Sequence, residues 1–253
     1  MRNLLNSIAQ RSRLVGTVCV AALCTGGHAQ NTHELRWGLD APLIGAGVVG
    51  HAALMVGFDI GTRYSAQPRD TVVLDRSTVN RFDRIATFQH HPQAAKASDR
   101  LFLADAVVPL VGAAVQQQGD QPLTPVLIGL ESFLLCSALT NLAKYTTLRN
   151  RPYRYNPDAP PPPNAWKDGR HSFWSGHTAN LAAITFSVAS MLQRSDLHRD
   201  AKTAIWVGAA MLPALVGYLR VRAGRHFPTD VLVGFGLGTG VGLLVPYLHR
   251  KDE

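Results

Sequence analysis

Six apolar runs of helix length, at residues 41–58, 101–115, 123–143, 178–192, 203–219 and 231–248, constrain this chain more than any other feature. None shows the every-second-residue alternation of a half-buried strand, so the sequence predicts an all-α fold, a six-helix bundle. With 253 residues and no repeat at solenoid spacing, residues 30–253 read as a single domain. The last two runs approach the length a bilayer crossing needs, which points to a membrane-embedded bundle. Two features pull the other way: Asp105 and Glu131 interrupt their runs, and the mean hydropathy is only +0.02.

Residues 1–29 stand apart. Arg2, Arg11 and Arg13 precede an apolar stretch from Leu14 to Leu23 and then Gly27-His28-Ala29, the pattern of a signal peptide or an N-terminal anchor. Its removal takes away three arginines and no acids, lowering the formal net charge from +8 to +5. The remaining basic excess fits a juxtamembrane charge bias or the steering of an anionic substrate. No nucleic-acid reading module or aromatic stacking pattern accompanies it, so nucleic acid is excluded as a partner. Of the three cysteines only Cys136 lies outside this segment, which leaves no intramolecular disulfide and reads as a core residue.

Chemistry concentrates at the edges of the later runs. Lys144-x6-Arg151-Pro152 sits where an apolar helix gives way to loop, and seven helical residues return Lys144 and Arg151 to nearly one face. Ser175-Gly176-His177 opens the next run, at a helix N-terminus whose free N–H groups and dipole favour an anion. Arg220-x5-His226-x3-Asp230 brings a third cation, a second histidine just ahead of a Pro228 helix start, and a carboxylate one turn in. Lys144, Arg151 and Arg220 suit phosphate oxygens, the histidines supply a nucleophile or movable proton, and Asp230 is placed to accept from the other ring nitrogen of His226. Any one of these elements alone reads as an ordinary helix end; their conjunction reads as a phosphoester site. Arg149, Arg154, Arg170, Arg222 and Arg225 cluster around it and are expected to steer substrate.

The three stretches resemble the signature of the type 2 phosphatidic acid phosphatase superfamily: Lys-x6-Arg-Pro, then Pro-Ser-Gly-His, then Ser-Arg-x5-His-x3-Asp. Trp174 and Leu219 depart from it, standing where the family has proline and a small residue. The resemblance implies that His226 attacks phosphorus and forms a phosphohistidine with Asp230 orienting it, while His177 protonates the leaving oxygen and then activates water. It also implies that Lys144, Arg151, Arg220, the Ser175 hydroxyl and the Gly176 N–H hold the equatorial oxygens. No cofactor, metal or obligate protein partner enters that scheme, and the sequence has no His-Glu-x-x-His and no cysteine pair at zinc spacing. Adjacent His90 and His91 lie in a polar stretch and read as exposed.

By resemblance the substrate is a lipid phosphate or diphosphate such as phosphatidic acid, phosphatidylglycerol phosphate, undecaprenyl diphosphate or a lipid A phosphate. The expected setting is the bacterial inner membrane with the site facing the periplasm and membrane lipids as neighbours. Rivals are a soluble periplasmic acid phosphatase for small esters, a vanadium haloperoxidase, which shares the motif set, and a non-catalytic headgroup binder. Arg194, Arg199, Lys202, Arg250 and Lys251 fit cytoplasmic loops. A cleaved signal followed by six full spans would instead put the motif loops in the cytoplasm, so either residues 1–29 do not translocate or one of runs 41–58 and 101–115 does not cross. Between the runs, 60–99 is polar with room for short surface helices, and 153–171 carries Pro160 to Pro163, a stiff loop expected to overhang the pocket. Gly234, Gly238 and Gly242, four apart, predict close helix packing.

Overall fold

The structure, a computed structural model, describes residues 32–65, 73–115, 123–159 and 168–251. Seven α-helices occur among the described residues: α1 (Trp37–Ser65), α2 (Pro92–Phe102), α3 (Ala104–Val115), α4 (Thr124–Thr147), α5 (Gly176–Leu192), α6 (Arg199–Arg222) and α7 (Pro228–Leu248). Three short 3-10 turns, Arg76–Thr78, Asp83–Phe88 and Pro152–Tyr155, complete the regular structure, and no strand is present in that part of the chain. The six apolar runs fall on these helices, with 101–115 split at Leu103 between the end of α2 and α3. The addition is α2, a short helix in the polar 60–99 stretch, set off from α3 by a break at Leu103. The N-terminal segment 1–29 and residues 160–167 of the proline-rich loop fall outside the described residues.

Helix α5 is the axis of the bundle. Every residue from Thr178 to Leu192 is buried, and α7, α4, α6 and α3 pack around it. Its small side chains make this feasible: alanines, serines and threonines let neighbours approach, and Ser132 on α4 meets Ser187 at 3.3 Å. The closest approach is to α7, where the glycine stripe faces α5. A Cβ on Gly238 would fall 2.1 Å from the Ala179 carbonyl oxygen, and one on Gly242 2.4 Å from that of Ala183. Gly236 and Gly240, offset from the stripe, have nothing within 4 Å. Ile128, Cys136, Ala179, Val188, Met191, Val241 and Val245 form the apolar core around this contact.

Three segments, Thr124–Tyr155, Arg199–Arg222 and Pro228–Leu248, are long and apolar enough to cross a membrane by length and composition. Their outward faces carry large exposed apolar side chains, among them Leu139, Leu142, Met211, Leu215, Leu237 and Leu244. With 12 residues, α3 reaches only about 18 Å at about 1.5 Å per residue, short of a bilayer core of about 30 Å. Of the two runs singled out as weak candidates for crossing, the second is therefore too short.

Candidate active site

The C-terminal ends of α4 and α6 and the N-terminal ends of α5 and α7 all lie at one end of the bundle. Two helix N-termini thus direct their partial positive charge to the region where the cationic side chains gather. The turn after α6 sets the third motif. Gly224, at φ +67, closes it so tightly that a Cβ would sit 2.4 Å from the Gln89 carbonyl oxygen. A side chain there would be strained and would clash with backbone. The chain then rises through His226 and Phe227 into α7.

His226 is almost wholly buried, at 1% exposure. Its Nδ1 lies 2.8 Å from the Ser172 carbonyl oxygen, which can only accept, so Nδ1 carries the proton. Its Nε2 lies 3.1 Å from Arg151 Nη1, which can only donate, so Nε2 carries the lone pair. Two neighbours near opposite ends of the α4–α5 connection thus select the same neutral tautomer. Burial first, then the charges of Arg151, Arg220 and Lys144, hold the ring's pKa well below the ordinary 6.5. The expected direct bond from Asp230 differs in the structure: Asp230 Oδ2 stands 3.7 Å from Nδ1. Asp230 instead accepts from Ser172 Oγ at 2.6 Å and from the Phe227 N–H at 2.9 Å, and pairs with Arg149. It steadies His226 through the residue whose carbonyl holds the ring.

Arg151 is buried and all three nitrogens of its fork donate. Nε and Nη2 donate to the carbonyl and carboxylate of Asp168 at 2.9 and 2.6 Å, and Nη1 to the Arg225 carbonyl at 2.7 Å as well as to His226. The extended conformation before Pro152 aims it here, with its own N–H bonded to the Gly169 carbonyl. The Arg151 charge holds the Asp168 carboxyl below its usual range despite the opposing effect of burial. Arg220 is also buried, and its Nε has no hydrogen-bond partner. Lys144 reaches the same place: a Cβ on Gly176 would lie 3.5 Å from its Nζ, so the missing side chain keeps the α5 N-terminus open to the ammonium. Ser175 takes a different part from the one expected. Fully buried, it caps α5, accepting from the Thr178 N–H at 3.5 Å with Thr178 Oγ1 at 3.0 Å.

His177 projects from the first turn of α5 with its side chain 28% exposed. Its Nε2–H donates to Asp99 Oδ1 at 3.1 Å, and that same oxygen accepts from Arg220 Nη1 at 2.8 Å. Phe102, one turn along α2, lies against the imidazole with ring centroids 4.4 Å apart. Burial lowers the His177 pKa to about 4, with Asp99 opposing and Arg220 reinforcing the shift. Trp174 bonds through its indole N–H to Thr140 Oγ1 at 2.7 Å and packs on the core. In place of the family's proline it bolts the motif loop to α4.

The family model described as the PAP2 superfamily matches residues 125–253, just over half of the chain, and covers all three motif stretches. The chain belongs to the PAP2 superfamily. Phosphatidylglycerophosphatase B of Bacillus subtilis is 37% identical over 81 residues, 32% of this chain and 40% of that protein. Lipid A 4'-phosphatase of Porphyromonas gingivalis is 32% identical over 90 residues, 35% of each chain. The match therefore spans well under half the length of these curated relatives. The crystal structure of a transmembrane PAP2-type phosphatidylglycerolphosphate phosphatase from Bacillus subtilis shares the fold, with a TM-score of 0.51 and 23% identity over 79% of this chain and 96% of that one.

All eight residues singled out from the PAP2 motifs lie at this one end of the bundle. Several participants carried no such signal, Ser172 and Asp168 among them. Asp99 comes from α2, outside the motifs. Asp83, fully buried, accepts from Thr229 N–H at 3.0 Å, from Thr229 Oγ1 at 2.7 Å and from Arg149 Nη2 at 2.7 Å. Arg149, expected to steer substrate, is instead the pin between Asp83 and Asp230, stacked 4.2 Å over Phe227. Arg222 likewise meets His91, at 3.2 Å.

Proposed function

We propose that this PAP2 member hydrolyses the phosphate monoester or diphosphate of a lipid at the periplasmic face of the bacterial inner membrane, through a phosphohistidine on His226. The observation that carries the reading is the His226 tautomer: Nδ1 is protonated and held by a carbonyl, leaving the Nε2 lone pair among three cations. In the first step Nε2 bonds to phosphorus as the ester P–O bond breaks, and the leaving oxygen takes a proton from His177. In the second, His177 takes a proton from water, whose oxygen displaces Nε2 and releases phosphate. A phosphate dianion beside Lys144, Arg151 and Arg220 offsets the cations that reinforce burial in keeping His177 neutral, so substrate itself favours the acid form. The unpartnered Nε of Arg220 and the ammonium of Lys144 meet the equatorial oxygens as charge grows on them.

A lipid substrate is supported by the relatives, named for phosphatidylglycerophosphate and lipid A, and by the apolar outward faces of α4, α6 and α7 beside the site. The test is phosphate release by detergent-purified protein in excess chelator, from a lipid panel and from small soluble esters, with His226→Ala as the blank. Release from a lipid together with an acid-labile phosphoenzyme is expected. Release from soluble esters alone points to the small-ester phosphatase, and turnover by His226→Ala at half the parent rate overturns the nucleophile.

A further inference from the structure

At the opposite end of α7 a second polar cluster lies in the bundle. Asp40 in the first turn of α1, Glu131 in the first third of α4 and His249 capping α7 are 4%, 1% and 0% exposed. Their donor atoms all lie within 4.8 Å of one another. His249 Nε2 is 2.6 Å from Asp40 Oδ1 and 3.1 Å from Glu131 Oε2. The 21 residues of α7 separate this cluster from Asp230 by about 30 Å at about 1.5 Å per residue. It is no part of the phosphate site.

We propose that Asp40, Glu131 and His249 bind a divalent first-row transition cation that ties α1, α4 and α7 together. The ring orientation is the first argument. Nδ1 of His249 donates to the Val245 carbonyl at 2.8 Å, which fixes the proton there and turns Nε2 toward the two carboxylates. A backbone carbonyl on the far nitrogen is the usual outer-shell support of a metal-bound histidine. Glu131 is the second, independent argument. Among the described residues neither of its oxygens has a hydrogen-bond partner, although the residue is buried to 1% exposure, and the 3.1 Å approach of His249 lacks hydrogen-bond geometry. A buried carboxylate without a donor is costly, and one aimed at a second carboxylate more so. Two carboxylates and a neutral imidazole carry a charge of −2, which a divalent ion cancels while satisfying all three donors.

One nitrogen and two oxygens suit zinc or manganese better than the all-oxygen shells of calcium or magnesium. Ligands about 2.1 Å from the ion stand about 3 Å apart on the octahedral edge that manganese takes and about 3.4 Å apart on the tetrahedral edge of zinc. The Glu131 pair is already near the octahedral spacing, and the Asp40 pair has to open by about 0.4 Å or more. The residues just before α1 pair with the chain after α7 beside the cluster: Glu34 N–H donates to the His249 carbonyl at 2.9 Å and Lys251 N–H to that of Thr32 at 3.1 Å.

The experiment uses the full chain in detergent, stripped by prolonged chelation and dialysed against zinc, manganese or cobalt. Bound metal is counted by mass spectrometry, and cobalt is also followed by its visible absorption. About one equivalent per chain is expected, with a rise in melting temperature. Glu131→Gln should weaken binding by tenfold or more; if that variant fails to fold, Asp40→Asn serves in its place. The His226→Ala variant should bind metal as the parent does, because phosphate release reads one end of the bundle and metal content the other. Parent protein that holds no metal, or equal stoichiometry in the carboxylate variants, means an ion pair or shared proton only and overturns the proposal.

Discussion

Asp99 Oδ1 sits 3.1 Å from His177 Nε2 and 2.8 Å from Arg220 Nη1, bridging a histidine and an arginine as a phosphate oxygen would. The carboxylate is exposed and rides on a short helix, so a phosphate entering the site competes with it for the same two donors.

Asp99→Asn is therefore expected to tighten the competitive binding of vanadate or inorganic phosphate by about fivefold, the scale of an exposed ion pair of about 1 kcal/mol. Inhibition constants at fixed pH measure it. An unchanged constant would mean that Asp99 does not occupy a ligand position.

Arg149 neutralises two carboxylates, Asp83 and Asp230, that are themselves fully buried. Removing it strands both, so Arg149→Met should cost about 3 kcal/mol or more of stability. Activity should fall with it, through the loss of Asp230 support for the loop that holds His226. Denaturant titration should show Arg149→Lys intermediate; parent-like stability of Arg149→Met would show that the pin is dispensable.

The glycine stripe offers an internal control. Gly238→Ala places a Cβ 2.1 Å from backbone of α5 and should destabilise by about 2 kcal/mol, as overpacking does. Gly236→Ala, two residues away with nothing within 4 Å, should be neutral or slightly stabilising, by up to about 1 kcal/mol. Melting temperatures of the two variants, measured side by side, should diverge in sign or size.

Burial keeps His226 neutral where an unfolded histidine takes up a proton at its ordinary 6.5. Below that pH the unfolded state binds more protons than the folded one, so this contribution to stability falls as pH drops through 6.5 and is constant above it. His177 acts in the same direction, its folded pKa lowered to about 4. The lowered carboxyl groups of Asp83, Asp99 and Asp168 have unfolded values of 3.8, so their loss comes at more acidic pH. The melting temperature should decline from pH 6.5 toward pH 5, and less steeply in His226→Gln. An equal slope in that variant would place the titration elsewhere.

The helical class, the close-packing stripe and the three charged stretches could all be read along the chain, because each is a local pattern; the short helix α2, in a polar stretch, could not. Apolar spacing marks a helix wherever it folds, and a motif whose members lie within a few turns carries its geometry in its spacing. Lys144, Arg151, His177, Arg220 and His226 converge as that pattern predicts. What the pattern left open was how each group is held. The proton on His226 is set by the Ser172 carbonyl, a backbone atom that no side-chain motif specifies. Ser175 fits the motif, yet its buried hydroxyl serves the helix cap because a buried donor needs a partner.

The sequence by itself determined that the chain is helical, that small residues would let its helices touch, and which helix ends would gather the cations of the three motifs. Only the tertiary structure decided that Asp99 faces His177 across 78 positions of chain, that Arg149 joins Asp83 to Asp230, and that Asp40, Glu131 and His249 meet. Local preferences act over a turn or two of helix, whereas these meetings are fixed by how whole helices cross. No spacing along the chain encodes a crossing.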